Sequence, residues 1–451
     1  MKRRTLAIIS VLIIASLISY GIYLYVQTPS PPELSYSEMA LQTYLAMQKS
    51  YYIPSAELYR GTSTPYSYFW PFTQVASATN YLASIPNSSA FGIDFASEME
   101  QRVQGMLEYQ NKSQSPPGFE SAVAPPLWRG GGEFYDDNGW ADLALIQQYA
   151  ITGNETVLKL AETDFDFITT GWDSNASSPC PGGIFWTYGS GLRYRNVPAN
   201  GPAAIAAAEL YSITGNETYL EWAQRIYDWV NENLRSPDGM YYDGVKSYYE
   251  GTPCYVVQDI WSYNQGTMIG AGALLYAVTG NSTYLKYALQ TAQSSLQYFS
   301  SDDRIFQQNP EFNAIYFRNL ARLLEVYPNA TVREEYLKLM EDYAKAAWQR
   351  YRSPEGIFFY GQGTDAASVI NSAGMVQIYA LLAGAKPYVP RPPRRRPDLP
   401  DGPMVGKGGP APSETRQWAG PFKQGMKVFI KTKRKEAERA AIHRLRTGLS
   451  R

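Results

Sequence analysis

A Thr-Gly-Asn tripeptide recurs in this chain at nearly even spacing. Thr152-Gly153-Asn154, Thr214-Gly215-Asn216 and Thr279-Gly280-Asn281 lie 62 and 65 residues apart. Each follows an apolar, small-residue run and precedes a second helical run, ETVLKLAETDFDFI, ETYLEWAQRIYDWV or STYLKYALQTAQSSL. A Gly past one helix end and an Asn capping the next make a tight helix–helix turn. The repeat unit is therefore a helical hairpin. Stacked hairpins bury a shared core and carry one kind of loop on each face.

Apolar spacing and caps extend this to twelve helices near residues 36–50, 71–84, 92–110, 138–151, 155–170, 199–213, 217–234, 264–278, 282–299, 311–326, 330–351 and 368–384. The even-numbered helices are rich in small residues (NGWADLALIQQYA, GPAAIAAAELY, GTMIGAGALLYAV), which suits an inner ring packed on both sides. The odd-numbered helices carry a charged face and suit an outer ring. No β-rich stretch of comparable length competes. Six hairpins closed into a ring make an (α/α)6 toroid; an open superhelix of hairpins is the alternative.

The flanks differ from this body. MKRR precedes an apolar run from Thr5 to Val26, long enough to span a bilayer. Residues 1–26 read as an uncleaved signal-anchor that places the body outside, with a cleaved signal peptide as the alternative. Residues 27–35 form a Pro-rich stalk, and 36–385 the helical domain. Residues 386–451 form a Pro/Arg-rich basic tail of disordered composition.

From Arg391 onward there are 16 basic and 5 acidic residues, leaving 24 basic and 36 acidic residues before it. The acidic body does not suit nucleic acid. The only histidine, His443, lies in the tail, so Ser-His-Asp, Cys-His and His-ligated zinc chemistry is excluded from the body. Acid–base work there falls to carboxylates, Tyr or Lys. Seven sequons, at Asn87, Asn111, Asn154, Asn175, Asn216, Asn281 and Asn329, fit a cell-surface or secreted location. Cys180 and Cys254 are a candidate disulfide for an oxidising compartment. Two free thiols are the alternative.

Short turns join even to odd helices, whereas most odd-to-even loops are long, aromatic and rich in Gly and Pro. In a ring of hairpins the long loops share one face, where function is expected. The segments before the even helices bring Trp70, Asp136, Asp137, Trp140, Trp186, Asn196, Asn200, Tyr263, Asn264, Gln265, Phe312 and Arg318 on or near one mouth. Aromatic platforms and amide donors around a carboxylate pair match the apolar faces and hydroxyl rims of sugars.

Asp136-Asp137 is the centre of that mouth. Glycosidases use two carboxyl groups, one protonating the leaving oxygen and one acting as nucleophile or base. Two close carboxylates repel, so one holds its proton. Adjacent positions favour the retaining separation of about 5–5.5 Å. The same dipeptide also serves as a helix cap or, less often, a calcium ligand. Trp222 and Trp229 read as core residues, and Asp142, Asp164 and Asp166 as solvated or capping. Asp259 stands closer to the mouth.

The string YDDNGW resembles the signature of glycoside hydrolase family 76, the endo-α-1,6-mannanases. GGIFW, RNVPANGPAAIAAAELYSITGNETYLEWA, WSYNQGTMIGAGALLYAVTGN and FNAIYFRNLARLL follow in family order, over about residues 60–385. Ala141-Asp142 after Trp140 and Asn313-Ala314 after Phe312 depart from the pattern. The resemblance implies an (α/α)6 fold and retaining cleavage of α-1,6-mannosidic bonds. It makes Asp136 the nucleophile and Asp137 the general acid/base, with Trp140, Asn196, Asn200, Tyr263, Asn264 and Gln265 lining the subsites.

The expectation is thus a surface-anchored, monomeric retaining glycosidase acting on a glycan, with no metal or organic cofactor required. A transglycosylase, a non-catalytic glycan-binding envelope protein and an (α/α)6 epimerase or lyase are the competing readings.

Overall fold

A computed structural model describes residues 34–189, 193–247, 253–359 and 368–389. The chain divides into a unit ending at Arg394 and a second, Arg395–Arg451. The apolar N-terminal run, most of the stalk and almost all of the basic tail lie outside the described residues. Among the described residues, no helix is long and apolar enough to cross a membrane.

Twelve α-helices form the described body: α1 (Tyr36–Tyr51), α2 (Phe69–Ala83), α3 (Phe95–Leu107), α4 (Tyr135–Thr152), α5 (Glu155–Thr169), α6 (Val197–Thr214), α7 (Glu217–Leu234), α8 (Ser262–Thr279), α9 (Ser282–Ser300), α10 (Pro310–Val326), α11 (Ala330–Arg350) and α12 (Val369–Leu382). The even helices contact one another in sequence, and α12 returns to α2, closing an inner ring. The odd helices pack outside. Helix α1 lies on α12, so the two ends of the helical body complete one hairpin.

The three Thr-Gly-Asn turns share one hydrogen-bond scheme. Gly153, Gly215 and Gly280 take φ of +67°, +70° and +71°, a left-handed conformation that suits glycine at a helix end. Asn154, Asn216 and Asn281 then cap α5, α7 and α9, accepting from the backbone N–H of Thr156, Thr218 and Thr283 at 2.9–3.1 Å. The preceding threonine hydroxyls donate to the carbonyl four residues back and accept the asparagine N–H.

A second repeat sets the ring spacing. The fourth and fifth residues of α4, α6 and α8 are Asn138-Gly139, Asn200-Gly201 and Gln265-Gly266. A Cβ on Gly201 would lie 2.4 Å from Thr267 Oγ1, and one on Gly266 would lie 2.6 Å from the Tyr316 Cα. At Gly201 and Gly266 neighbouring inner helices meet without room for a side chain, and at Gly139 a Cβ would lie 3.1 Å from Pro202 Cβ. Ala203–Ala208 of α6 are fully buried, as an inner ring requires.

The long loops also hold strands too short to stand out in the sequence. β1 (Tyr52–Ile53) pairs antiparallel with β2 (Leu58–Tyr59). β3 (Arg193–Asn196), β4 (Gly244–Ser247) and β5 (Tyr255–Val257) form an antiparallel sheet in the order β3–β4–β5, with Arg195 opposite Val245 and Val245 opposite Val256. This sheet joins the α5–α6 loop to the α7–α8 loop. A Cys180–Cys254 disulfide joins the same loops across 74 residues of sequence.

The solvated or capping reading fails for Asp142 and Asp164. Both are buried, at 0% and 1% exposure, and none of their four carboxylate oxygens has a hydrogen-bond partner. The small residues of α4 admit close packing on every side, so its polar positions are enclosed too. Trp229 is buried with its indole N–H on the Pro181 carbonyl at 2.9 Å, and Trp222 packs on Trp172.

Candidate active site

Asp136 and Asp137 occupy the first turn of α4, behind Phe134 at the N-cap position. They line a cavity of about 390 Å³ together with Tyr68, Trp70, Ser121, Phe134, Trp140, Trp186, Tyr263 and Phe312. Neither carboxylate occupies the N-cap position itself. The first turn places both near the positive end of the helix dipole, which favours negative charge.

The two aspartates differ in what they accept. Trp186 Nε1 donates to Asp136 Oδ2 at 3.0 Å; Asp136 Oδ1 is buried with no hydrogen-bond partner, and the backbone N–H groups of Asp136 and Asp137 act on the carboxylate through their dipoles. Burial pushes the Asp136 pKa up to about 7; those donors oppose the rise, and the nearby Asp243 charge adds to it. Asp137 is raised well above the carboxylate range, by burial first and the charge of Asp136 second. Both carboxyls are thus raised together, and only Asp136 has an indole donor that favours its ionised form.

The position of Trp186 is fixed from both sides. Its backbone N–H donates to the Tyr194 carbonyl at 2.8 Å, and its carbonyl accepts from the Tyr135 N–H at 3.0 Å. Its ring packs edge-on against Phe134 and Tyr194. The sheet thus carries the α5–α6 loop to the turn that holds Asp136 and Asp137.

Asp243, absent from the sequence expectation, stands behind this arrangement. It accepts from the Tyr194 hydroxyl and from Asn264 Nδ2, the latter at 3.0 Å. Burial raises its pKa; the two donors lower it, and exposed Asp259 nearby raises it further. Glu311, at the start of α10, is also buried, with a pKa pushed by burial up to about 7.

An aromatic wall crosses the cavity. Ring centroids lie 5.2 Å apart for Trp70–Trp140, 6.4 Å for Trp140–Tyr263 and 4.0 Å for Tyr263–Phe312. Trp140 is 2% exposed, so only an edge meets the cavity. Arg318 lies behind it, its Cζ 5.8 Å from the Trp140 ring and its Nη1 on Gln377 Oε1 at 3.1 Å. Burial lowers the Arg318 pKa to about 10.

The expected amide residues Asn196, Asn200, Asn264 and Gln265, and Arg318 with them, stand away from the cavity lining. Asn200 accepts from the Ile184 N–H and donates to the carbonyls of Ile184 and Asn196. Gln265 does the same with Tyr241 and Trp261, and Asn138 with Phe119 and Phe134. Asn196 caps α6 through the Ala199 N–H. These amides clamp the backbone of each incoming long loop to the head of an inner helix. The repeated amide-Gly dipeptide is the sequence signal that marks them.

Sequence and structure comparisons place the chain in a family. The model of glycosyl hydrolase family 76 matches residues 35–380. The chain belongs to this family. Mannan endo-1,6-α-mannosidase DCW1 of Candida glabrata is 36% identical over 130 residues, 28% of each chain. DCW1 of Saccharomyces cerevisiae is 37% identical over 131 residues, again 28% of each. The matched segment thus spans less than a third of either relative. A family 76 glycoside hydrolase from a bovine Bacteroides thetaiotaomicron strain superposes with a TM-score of 0.66 at 21% identity, covering 78% of each chain. An inactive variant of a Salegentibacter α-1,6-mannanase, with two aspartates replaced by asparagine and α-1,6-mannotriose bound, superposes with a TM-score of 0.62 at 21% identity, over 77% of this chain and all of that one. At this identity the superpositions speak to the family 76 fold.

Among the described residues, no cluster of three or more His, Cys, Asp or Glu side chains is placed to hold a metal.

Proposed function

We propose that this chain is an extracytoplasmic retaining glycoside hydrolase that cleaves α-1,6-mannosidic bonds through a covalent glycosyl-aspartate. The observation that carries this reading is the unequal hydrogen bonding of Asp136 and Asp137 in one sugar-sized cavity. A nucleophile must be ionised and an acid protonated at the same pH. The Trp186 N–H and the helix-start N–H groups hold charge on Asp136, while burial and that charge hold the proton on Asp137.

In the first step an Asp136 oxygen attacks the anomeric carbon as the glycosidic bond breaks, and Asp137 gives its proton to the departing oxygen. In the second, Asp137 takes a proton from water as that water attacks the anomeric carbon, releasing Asp136. Trp70, Tyr263 and Phe312 offer faces for the sugar's C–H groups, and Trp140 backs the cavity. Asn196, Asn200, Asn264, Gln265 and Arg318 act from behind the lining, by fixing loops, the cap of α6, Asp243 and Trp140.

The mannan endo-1,6-α-mannosidases among the relatives favour mannan as the glycan. An extracytoplasmic location is supported by the Cys180–Cys254 disulfide and by the exposed sequon asparagines at the caps of α5, α7 and α9. The segment 1–26 would supply the membrane anchor. If a glycan hydroxyl replaces water in the second step, the same intermediate gives transglycosylation.

The test is incubation of the purified protein with linear α-1,6-mannan and with α-1,2-mannan, α-1,3-mannan and α-glucans, followed by product sizing. Internal cleavage confined to the α-1,6-mannan is expected. Cleavage of another polymer in its place would overturn the assignment of substrate.

A further inference from the structure

The aromatic wall does not end at the cavity. Tyr68, on its rim, is 43% exposed, and its ring centroid lies 5.9 Å from that of Trp128, which is not on the lining. Exposed Arg129 binds both residues: Nη2 donates to the Tyr68 hydroxyl at 3.2 Å, and Cζ sits 4.8 Å from the Trp128 ring centroid. No carboxylate among the described residues forms an ion pair with Arg129. Leu127 beside them is 43% exposed.

The loop that presents this patch is firmly built. The Trp128 N–H donates to Ala124 and the Gly130 N–H to Val123, closing the tip. The Gly131 N–H donates to Glu120 Oε2 at 2.9 Å, and the Phe69 N–H ties Ser121 to the start of α2. Gly130 takes φ +70° with Glu120 Oε2 only 2.3 Å from where a Cβ would lie. The platform therefore stays in place without ligand, and little ordering opposes binding.

We propose that Tyr68, Trp128 and Arg129 form an outlying sugar subsite that takes a neutral hexose unit of the same polymer, beyond the unit held at the carboxylates. The Tyr68 and Trp128 rings offer apolar surface to the C–H face, and the remaining guanidinium N–H groups of Arg129 point hydrogen bonds at ring hydroxyls. Arg129 also holds the Tyr68 ring. The subsite lengthens the binding groove along one direction, so catalytic efficiency grows with chain length. This inference rests on the mannan reading for its choice of sugar.

The experiment is kcat/KM across α-1,6-mannotriose to α-1,6-mannohexaose for wild type, Trp128→Ala, Trp128→Phe and Arg129→Ala. Wild type gains with length. Trp128→Ala loses about tenfold on the hexaose and keeps the wild-type value on the shortest oligomer cleaved. Trp128→Phe recovers most of the loss, and Arg129→Ala gives a smaller loss of the same kind. Equal kinetics at all lengths, or an equal loss at all lengths, would overturn the subsite. If wild type cleaves no α-1,6-oligomer, the substrate reading fails by itself. Calorimetric binding of the hexaose then decides the platform: loss in Trp128→Ala keeps it, and unchanged or absent binding removes it.

Discussion

Trp186 donates its indole N–H to Asp136 across 3.0 Å and makes no such bond to Asp137. Two adjacent aspartates of one helical turn thereby stand in different hydrogen-bonding environments. Trp186→Phe keeps the ring packing against Phe134 and Tyr194 and removes only the donor. The Asp136 pKa then rises, because a hydrogen bond to the ionised form has been lost. The acid limb of the kcat/KM profile should move up by roughly one pH unit. An unmoved limb would show that Trp186 does not set the ionisation of Asp136.

Asp243 should act on the same limb from behind. Its charge raises the Asp136 pKa, so Asp243→Asn lowers it and shifts the acid limb down. The Asn264 and Tyr194 contacts need repartnering in that variant, so a Tyr194→Phe control separates field from packing. A limb shifted upward in Asp243→Asn would contradict the electrostatic account.

The amide clamps are expected to govern stability. Gln265→Leu leaves the buried Tyr241 N–H and carbonyl without their partner and should cost about 2–4 kcal/mol in denaturant unfolding. Asn200→Leu should behave alike. A variant of full stability with a raised KM would return these residues to the substrate.

The buried pair Asp142 and Asp164 should give a pH-dependent stability. Burial raises both, and for Asp142 the charges of Asp164, Glu209 and Asp166 add to the rise. A folded pKa above the unfolded value of about 3.9 favours folding fully at low pH, and the contribution fades as pH climbs toward the folded value. Asp142→Asn imitates the protonated form. It should raise Tm at pH 7.5 relative to wild type and flatten the decline of Tm above pH 4. A lower Tm at pH 7.5 would indicate that the ionised carboxylate is part of the fold.

The turns were legible because their chemistry is local. Gly153 and Asn154 need only their own backbone conformation and the next two residues, and the same holds at Gly215 and Gly280. The joint placement of Asp136 and Asp137 at the cavity was legible for the same reason, since one turn carries both. Asp243 was not. It reaches Asp136 through the pairing of β3 with β4 and through Tyr194, contacts between segments 49 residues apart that leave no local mark. Asn200 and Gln265 bind loop backbone at Ile184 and Tyr241, 16 and 24 residues away, which no local pattern names. Their recurrence with glycine at the fourth and fifth helix positions points to a structural repeat. Burial of Asp142 escaped because the small residues around it gave no apolar face to orient the helix.

The most direct measurement follows the anomer first released from linear α-1,6-mannan by NMR, for wild type, Asp136→Asn and Asp137→Asn, with folding checked by circular dichroism. A retaining mechanism through Asp136 and Asp137 predicts α-anomer first from wild type, with both variants folded and slowed by several orders of magnitude. Initial release of β-anomer, or wild-type rates in either variant, would contradict it.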